Sequence, residues 1–156
     1  MSEENTFVPK VTINVAEERK KPRLEAILFC EYASKTTTDT PVFAGCFDRL
    51  FFSKGKERVT SSFYLYVQTG ETRSGDLQIA IFSPDDKLHL AISFDMGEGR
   101  EYLPDYPVQA KVLQRIQFPV PIEGNYWFDV SCNGESLGGR ALIIEFEKEG
   151  AEKDEH

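Results

Sequence analysis

Apolar and polar residues alternate at every second position along most of the chain. The clearest case is the stretch from Glu123 to Phe146. Tyr126, Phe128, Val130 and Cys132 share one face of a first run. Ala141, Ile143 and Glu145 alternate with Leu142, Ile144 and Phe146 in a second. Asn133-Gly134 stands between them. A tight I′ turn needs φ > 0 at both central residues, and Asn-Gly meets that need best. The pattern predicts a hairpin that closes an all-β domain.

The same period runs through the rest of the chain. From Arg23 to Ser34, Leu24, Ala26, Leu28, Cys30 and Tyr32 take one face. Ile27 and Phe29 make the other face apolar too, as in a central strand. Val42 to Ser53 predicts one further strand, with Gly45 marking a bulge or a close backbone approach. Ser61 to Thr69, Asp76 to Ser83, Leu88 to Asp95 and Val108 to Phe118 follow. Pro84-Asp85-Asp86-Lys87 is a turn joining two of them into a hairpin. The longest irregular segment is Met96 to Pro107. About eight or nine strands at spacings of about 8–12 residues predict a single antiparallel β-sandwich, immunoglobulin-like in layout. The domain spans 23–147. Residues 1–22 form a polar segment in which Phe7 to Val15 has the alternation of a short strand. Residues 148–156 form an acidic, disordered tail.

Composition narrows the function. The 156 residues suit one domain, and the net charge of −8 disfavours nucleic acid as a partner. No run is long and apolar enough to cross a bilayer, and none near Met1 has the form of a secretory signal. Cys30, Cys46 and Cys132 lack metal-ligand spacing and lie in apolar runs, which predicts burial as free thiols. Together these features predict a cytoplasmic protein.

One layout is familiar. A strand ending in Phe29-Cys30 precedes Phe43-Ala44-Gly45-Cys46-Phe47-Asp48. Later come Glu123-Gly124-Asn125-Tyr126-Trp127-Phe128, Asn133-Gly134-Glu135 and a last apolar strand. From Leu24 to Phe146 this resembles a group of small bacterial β-sandwich proteins of unknown function. The resemblance implies a fold and a bacterial origin; it assigns no residue a role.

Chemistry-bearing residues are few. The chain has two histidines, His89 and His156. A hydrolase would have to use His89 with loop carboxylates. His89 lies in mid-strand, where packing is its ordinary role. Asp85 and Asp86 suit a turn; with Glu98, Glu101 and Asp105 they would reach calcium only if two loops met. Gly97-Glu98-Gly99 and Gly138-Gly139 do not match a phosphate loop, and the second pair predicts a bulge. No catalytic residue, metal or cofactor follows.

Aromatic residues are the better candidates. Tyr102, Leu103, Asp105 and Tyr106 lie in the long loop, and loops on a rigid scaffold carry binding. Trp127, Tyr64 and Tyr66 fall opposite core positions on their strands. The sequence thus points to a non-enzymatic protein-binding or assembly module. Its partner would be another protein or a second copy, with no membrane contact. One alternative is a carbohydrate or small-molecule binding domain that stacks ligands on Trp127. The other is the hydrolase built on His89.

Overall fold

Arg23–Lys35 forms β1, with Ile27 and Phe29 turned into the core as the alternation requires. The structure, a computed structural model, describes residues 21–38, 40–53, 59–71, 76–95 and 109–147. Eight more strands follow: β2 (Pro41–Phe47), β3 (Arg49–Phe52), β4 (Val59–Gly70), β5 (Asp76–Phe82), β6 (Leu88–Asp95), β7 (Gln109–Val120), β8 (Gly124–Cys132) and β9 (Glu135–Phe146). The described residues contain no helix.

The strands form two sheets. The first has the order β2-β1-β4-β7 and the second β3-β9-β8-β5-β6. Inward residues of both enter one core. Phe29 of β1 meets Phe128 of β8 across the gap, with ring centroids 4.8 Å apart. Phe63 and Phe118 pack edge-on at 6.0 Å, and Phe118 lies 5.6 Å from Tyr126. Each such pair contributes about 0.5–1.5 kcal/mol beyond its buried area. Arg140 on β9 reaches the other sheet, donating from Nη1 to the Ile27 carbonyl at 3.0 Å. Its guanidinium lies 5.7 Å from the centre of the Phe29 ring.

The Asn133-Gly134 turn forms as expected, with φ of 51° and 84°. Asn133 also fastens the turn to β5: its Oδ1 accepts from Asp76 N, and its own N donates to Asp76 O, both at 2.9 Å. Further along the hairpin the register shifts between Val130 and Ser131, opposite Gly138, so the predicted bulge is present.

Two expectations are corrected. Val42 to Ser53 is not one strand. The chain leaves the first sheet after Phe47 and enters the second at Arg49. Asp48 makes the crossing, and its carbonyl accepts from Ile143 N at 3.0 Å. The second sheet is also mixed rather than antiparallel, because β3 runs parallel to β9, from Arg49↔Ile143 to Phe52↔Phe146. Side-chain alternation is the same in parallel and antiparallel strands, so direction was invisible in the residues.

Candidate functional site

The outer face of the second sheet carries an apolar row. Inward positions on β5 and β8 are Leu77, Ile79, Ile81, Tyr126, Phe128 and Val130, all buried. Phe82 and Trp127 therefore point outward. The register lines them up: Leu88 opposes Phe82, Phe82 opposes Trp127, and Trp127 opposes Ala141. Leu88 and Trp127 are 61% and 43% exposed. Trp127 leans over β9, where a Cβ on Gly139 would lie 3.0 Å from the indole. Its Nε1 donates to Asp129 Oδ1 at 3.4 Å, and Ser136 Oγ donates to the same oxygen at 2.9 Å.

A groove lies where β3 borders β9, next to this row. It holds about 520 Å3 and is lined by Phe51, Ile143, Ile144 and Phe146, with Glu123, Asn125 and Glu145 supplying polar atoms. Phe51 is 64% exposed, the largest exposure of any large apolar residue described. Its direction follows from the short strand that holds it: Leu50 and Phe52 pack on the core, so Arg49 and Phe51 face out. Glu123 is held in place by Phe146 N, which donates to Oε2 at 2.9 Å. Glu145 faces Arg49 at 3.7 Å on the exposed side.

Among the described residues, the groove lining offers carboxylates, an amide and apolar side chains. His89 lies elsewhere. Its Nε2 is 2.7 Å from the Pro119 carbonyl; a carbonyl only accepts, so Nε2 donates. The ring packs edge-on against Phe118 and Tyr126 at 5.6 and 5.9 Å. These contacts supply neither a nucleophile nor a carboxylate. Among the described residues, no group of three or more His, Cys, Asp or Glu is placed to hold a metal ion.

Of the residues singled out in the sequence, Trp127 lies in the exposed row. Tyr102, Leu103, Asp105 and Tyr106 fall outside the described residues, as do Glu98 and Glu101. Tyr64 and Tyr66 cover the outer face of the first sheet. Tyr66 is 3% exposed and meets Phe43 at 4.8 Å, while Tyr64 meets Tyr32 at 6.2 Å. Burial pushes the Tyr66 phenol up, with the Glu25 charge adding to it. Cys30 and Cys132 are buried as expected, and burial pushes both thiols up. Cys46 is exposed, because β2 is an edge strand.

Phe51, Phe82 and Leu88 were missed as a site. Phe82 already stood opposite the core positions of its strand. Phe51 was hidden, because its orientation depends on the crossing at Asp48. The sequence matches no protein-family model and no curated protein. No helix among the described residues is long and apolar enough to cross a membrane.

Proposed function

We propose that the two sheets form an immunoglobulin-like sandwich that works as a non-enzymatic protein-binding module, docking its partner on the outer face of the second sheet. The carrying observation is the apolar row from Leu88 to Ala141 that continues to the groove beside Phe51. Contiguous exposed apolar surface rimmed by polar groups marks interaction sites, and aromatic anchors dominate interface energetics. The rim carboxylates Glu123 and Glu145 suit a partner segment with an apolar side chain flanked by basic residues.

The sandwich reading draws support from the path of the chain. After the excursion of β3 into the second sheet, the chain passes there again between β4 and β5, returns between β6 and β7, and crosses once more between β7 and β8. Immunoglobulin-like domains divide their strands in this way. They also carry a tyrosine whose hydroxyl bonds to backbone a few residues upstream. Here Tyr126 donates to the Ile122 carbonyl at 2.7 Å.

The test places a photo-crosslinking benzoylphenylalanine at position 51 and, in a separate protein, at Lys111, which is exposed on the first sheet. After irradiation in host extract, position 51 should give a discrete adduct that position 111 lacks. Trp127→Asp, with an unchanged strand spectrum, should reduce that adduct at least several-fold. An adduct with a second copy of this chain would identify self-association as the docking event. No adduct, or the same products from both positions, would remove the site.

A further inference from the structure

The β1–β2 pair carries chemistry that a docking surface does not use. Cys30 and Cys46 are direct register partners. Opposed residues in an antiparallel pair have Cα atoms about 4.5 or 5.5 Å apart. Both spacings fall within the roughly 4.4–6.8 Å that a disulfide spans. The two sulfurs are 3.1 Å apart. A bond of about 2.05 Å therefore needs them to approach by only about one ångström.

Their surroundings differ in a useful way. Cys46 is exposed on the edge strand, whereas Cys30 is fully buried beside it. A depression of about 230 Å3 opens at Cys46, bounded by Leu28, Phe47, Asp48 and Arg140. The exposure of Cys46 and the burial of Cys30 leave one residue of the pair, and not the other, open to a small molecule. The third cysteine, Cys132, is buried in the second sheet and stands apart from the pair.

We propose that Cys30 and Cys46 form a reversible dithiol–disulfide pair, oxidised by a low-molecular-weight disulfide of the glutathione class. The Cys46 thiolate attacks one sulfur of that disulfide. The small S–S bond breaks, and one small thiol leaves with a proton. The Cys30 sulfur, losing its proton to solvent, then attacks Cys46 Sγ in the mixed disulfide and expels the second small thiol. In sum, two protein thiols and one small disulfide become one protein disulfide and two small thiols. Excess small thiol reverses the exchange.

The order of events has a physical cause. Burial, then the hydrogen bond and charge of Cys46, push the Cys30 thiol up to about 12. Cys30 thus stays protonated while Cys46 is free. Capping Cys46 removes its hydrogen bond and its charge, the second and third of these causes. The bond would lie two residues before Asp48, where the chain crosses between sheets, and would fasten the edge strand that feeds β3.

The full chain is incubated with oxidised glutathione, quenched in acid, alkylated and weighed intact, with peptide mapping. The expected product carries one alkylated thiol, Cys132, where the reduced protein carries three. A linked Cys30–Cys46 peptide should appear, and dithiothreitol should restore all three thiols. The oxidised form should melt about 6–12 °C higher. Cys46→Ser should leave Cys30 and Cys132 both alkylatable after the same treatment. Three thiols remaining after oxidation, glutathione persisting on Cys46, or a bridge between chains would each overturn the proposal.

Discussion

At the Pro84-Asp85-Asp86-Lys87 turn, a single hydroxyl sets the behaviour of a carboxylate. Ser83 is buried and donates from Oγ to Asp85 Oδ1. Around them, Asp86 N donates to Ser83 O and Ser83 N to Lys87 O, both at 2.9 Å, with Asp86 at φ 61°. The Ser83 hydroxyl is the main reason that Asp85 stays below the usual carboxylate range, with Lys87 at 3.7 Å helping. A carboxyl held low in the folded state stabilises the fold above its unfolded pKa. That contribution fades as pH falls through the lower, folded value. Ser83→Ala should therefore move the Asp85 midpoint up, read by NMR of its carboxyl carbon across an acid titration. An unmoved midpoint would remove Ser83 as the cause. This turn was legible in the sequence because every group in it lies within four residues. The Cys30–Cys46 contact was not, because it depends on a register between strands.

Two glycines in the β8–β9 hairpin serve different ends, and substitution separates them. Gly134 has φ of 84° and open space where a Cβ would go. Gly134→Ala should cost about 1 kcal/mol, through backbone conformation alone. A Cβ on Gly139 would run into the Phe128 carbonyl and the Trp127 indole. Gly139→Ala should cost about 1–3 kcal/mol by crowding. It should also shift the emission of Trp127, the single tryptophan of the chain. Urea unfolding with fluorescence detection reads both effects. Equal costs with unchanged emission would show that the indole does not rest on Gly139. The Asn-Gly dipeptide announced the turn because its chemistry is local. The Gly138-Gly139 pair announced a bulge, but not the close approach of the Phe128 carbonyl and the Trp127 indole to Gly139, which comes from the neighbouring strand. The split of Val42 to Ser53 was hidden for a related reason: β2 and β3 are both apolar, and only their partners differ.

Across the whole molecule, His89 joins the margins of the two sheets. β6 ends the second sheet and β7 ends the first, and the His89–Pro119 hydrogen bond spans them. His89→Ala removes the donor to that carbonyl and the ring between Phe118 and Tyr126. The expected loss is about 1–3 kcal/mol in urea unfolding. Unchanged stability would mean that the sheets are held at this margin by other contacts. The strands other than the β2–β3 split, most core positions and the outward face of Trp127 were legible, because each follows from the alternation of residues. Strand order and the groove at Phe51 were not. They arise from pairings such as Phe51↔Glu145, between residues far apart in the chain.

The parallel pairing of β3 with β9 also sets a timetable for synthesis. Arg49–Phe52 emerges from the ribosome before β4 to β8, and its partners Ile143–Phe146 emerge after every other described strand. Long-range pairings cannot form until the intervening chain is available, and unpaired edges are exposed meanwhile. Until Phe146 is released, Phe51 and its neighbours have no strand to lie against. The nascent chain thus keeps this apolar segment uncovered while β4 to β8 are made, a period in which ribosome-associated chaperones would have access to it.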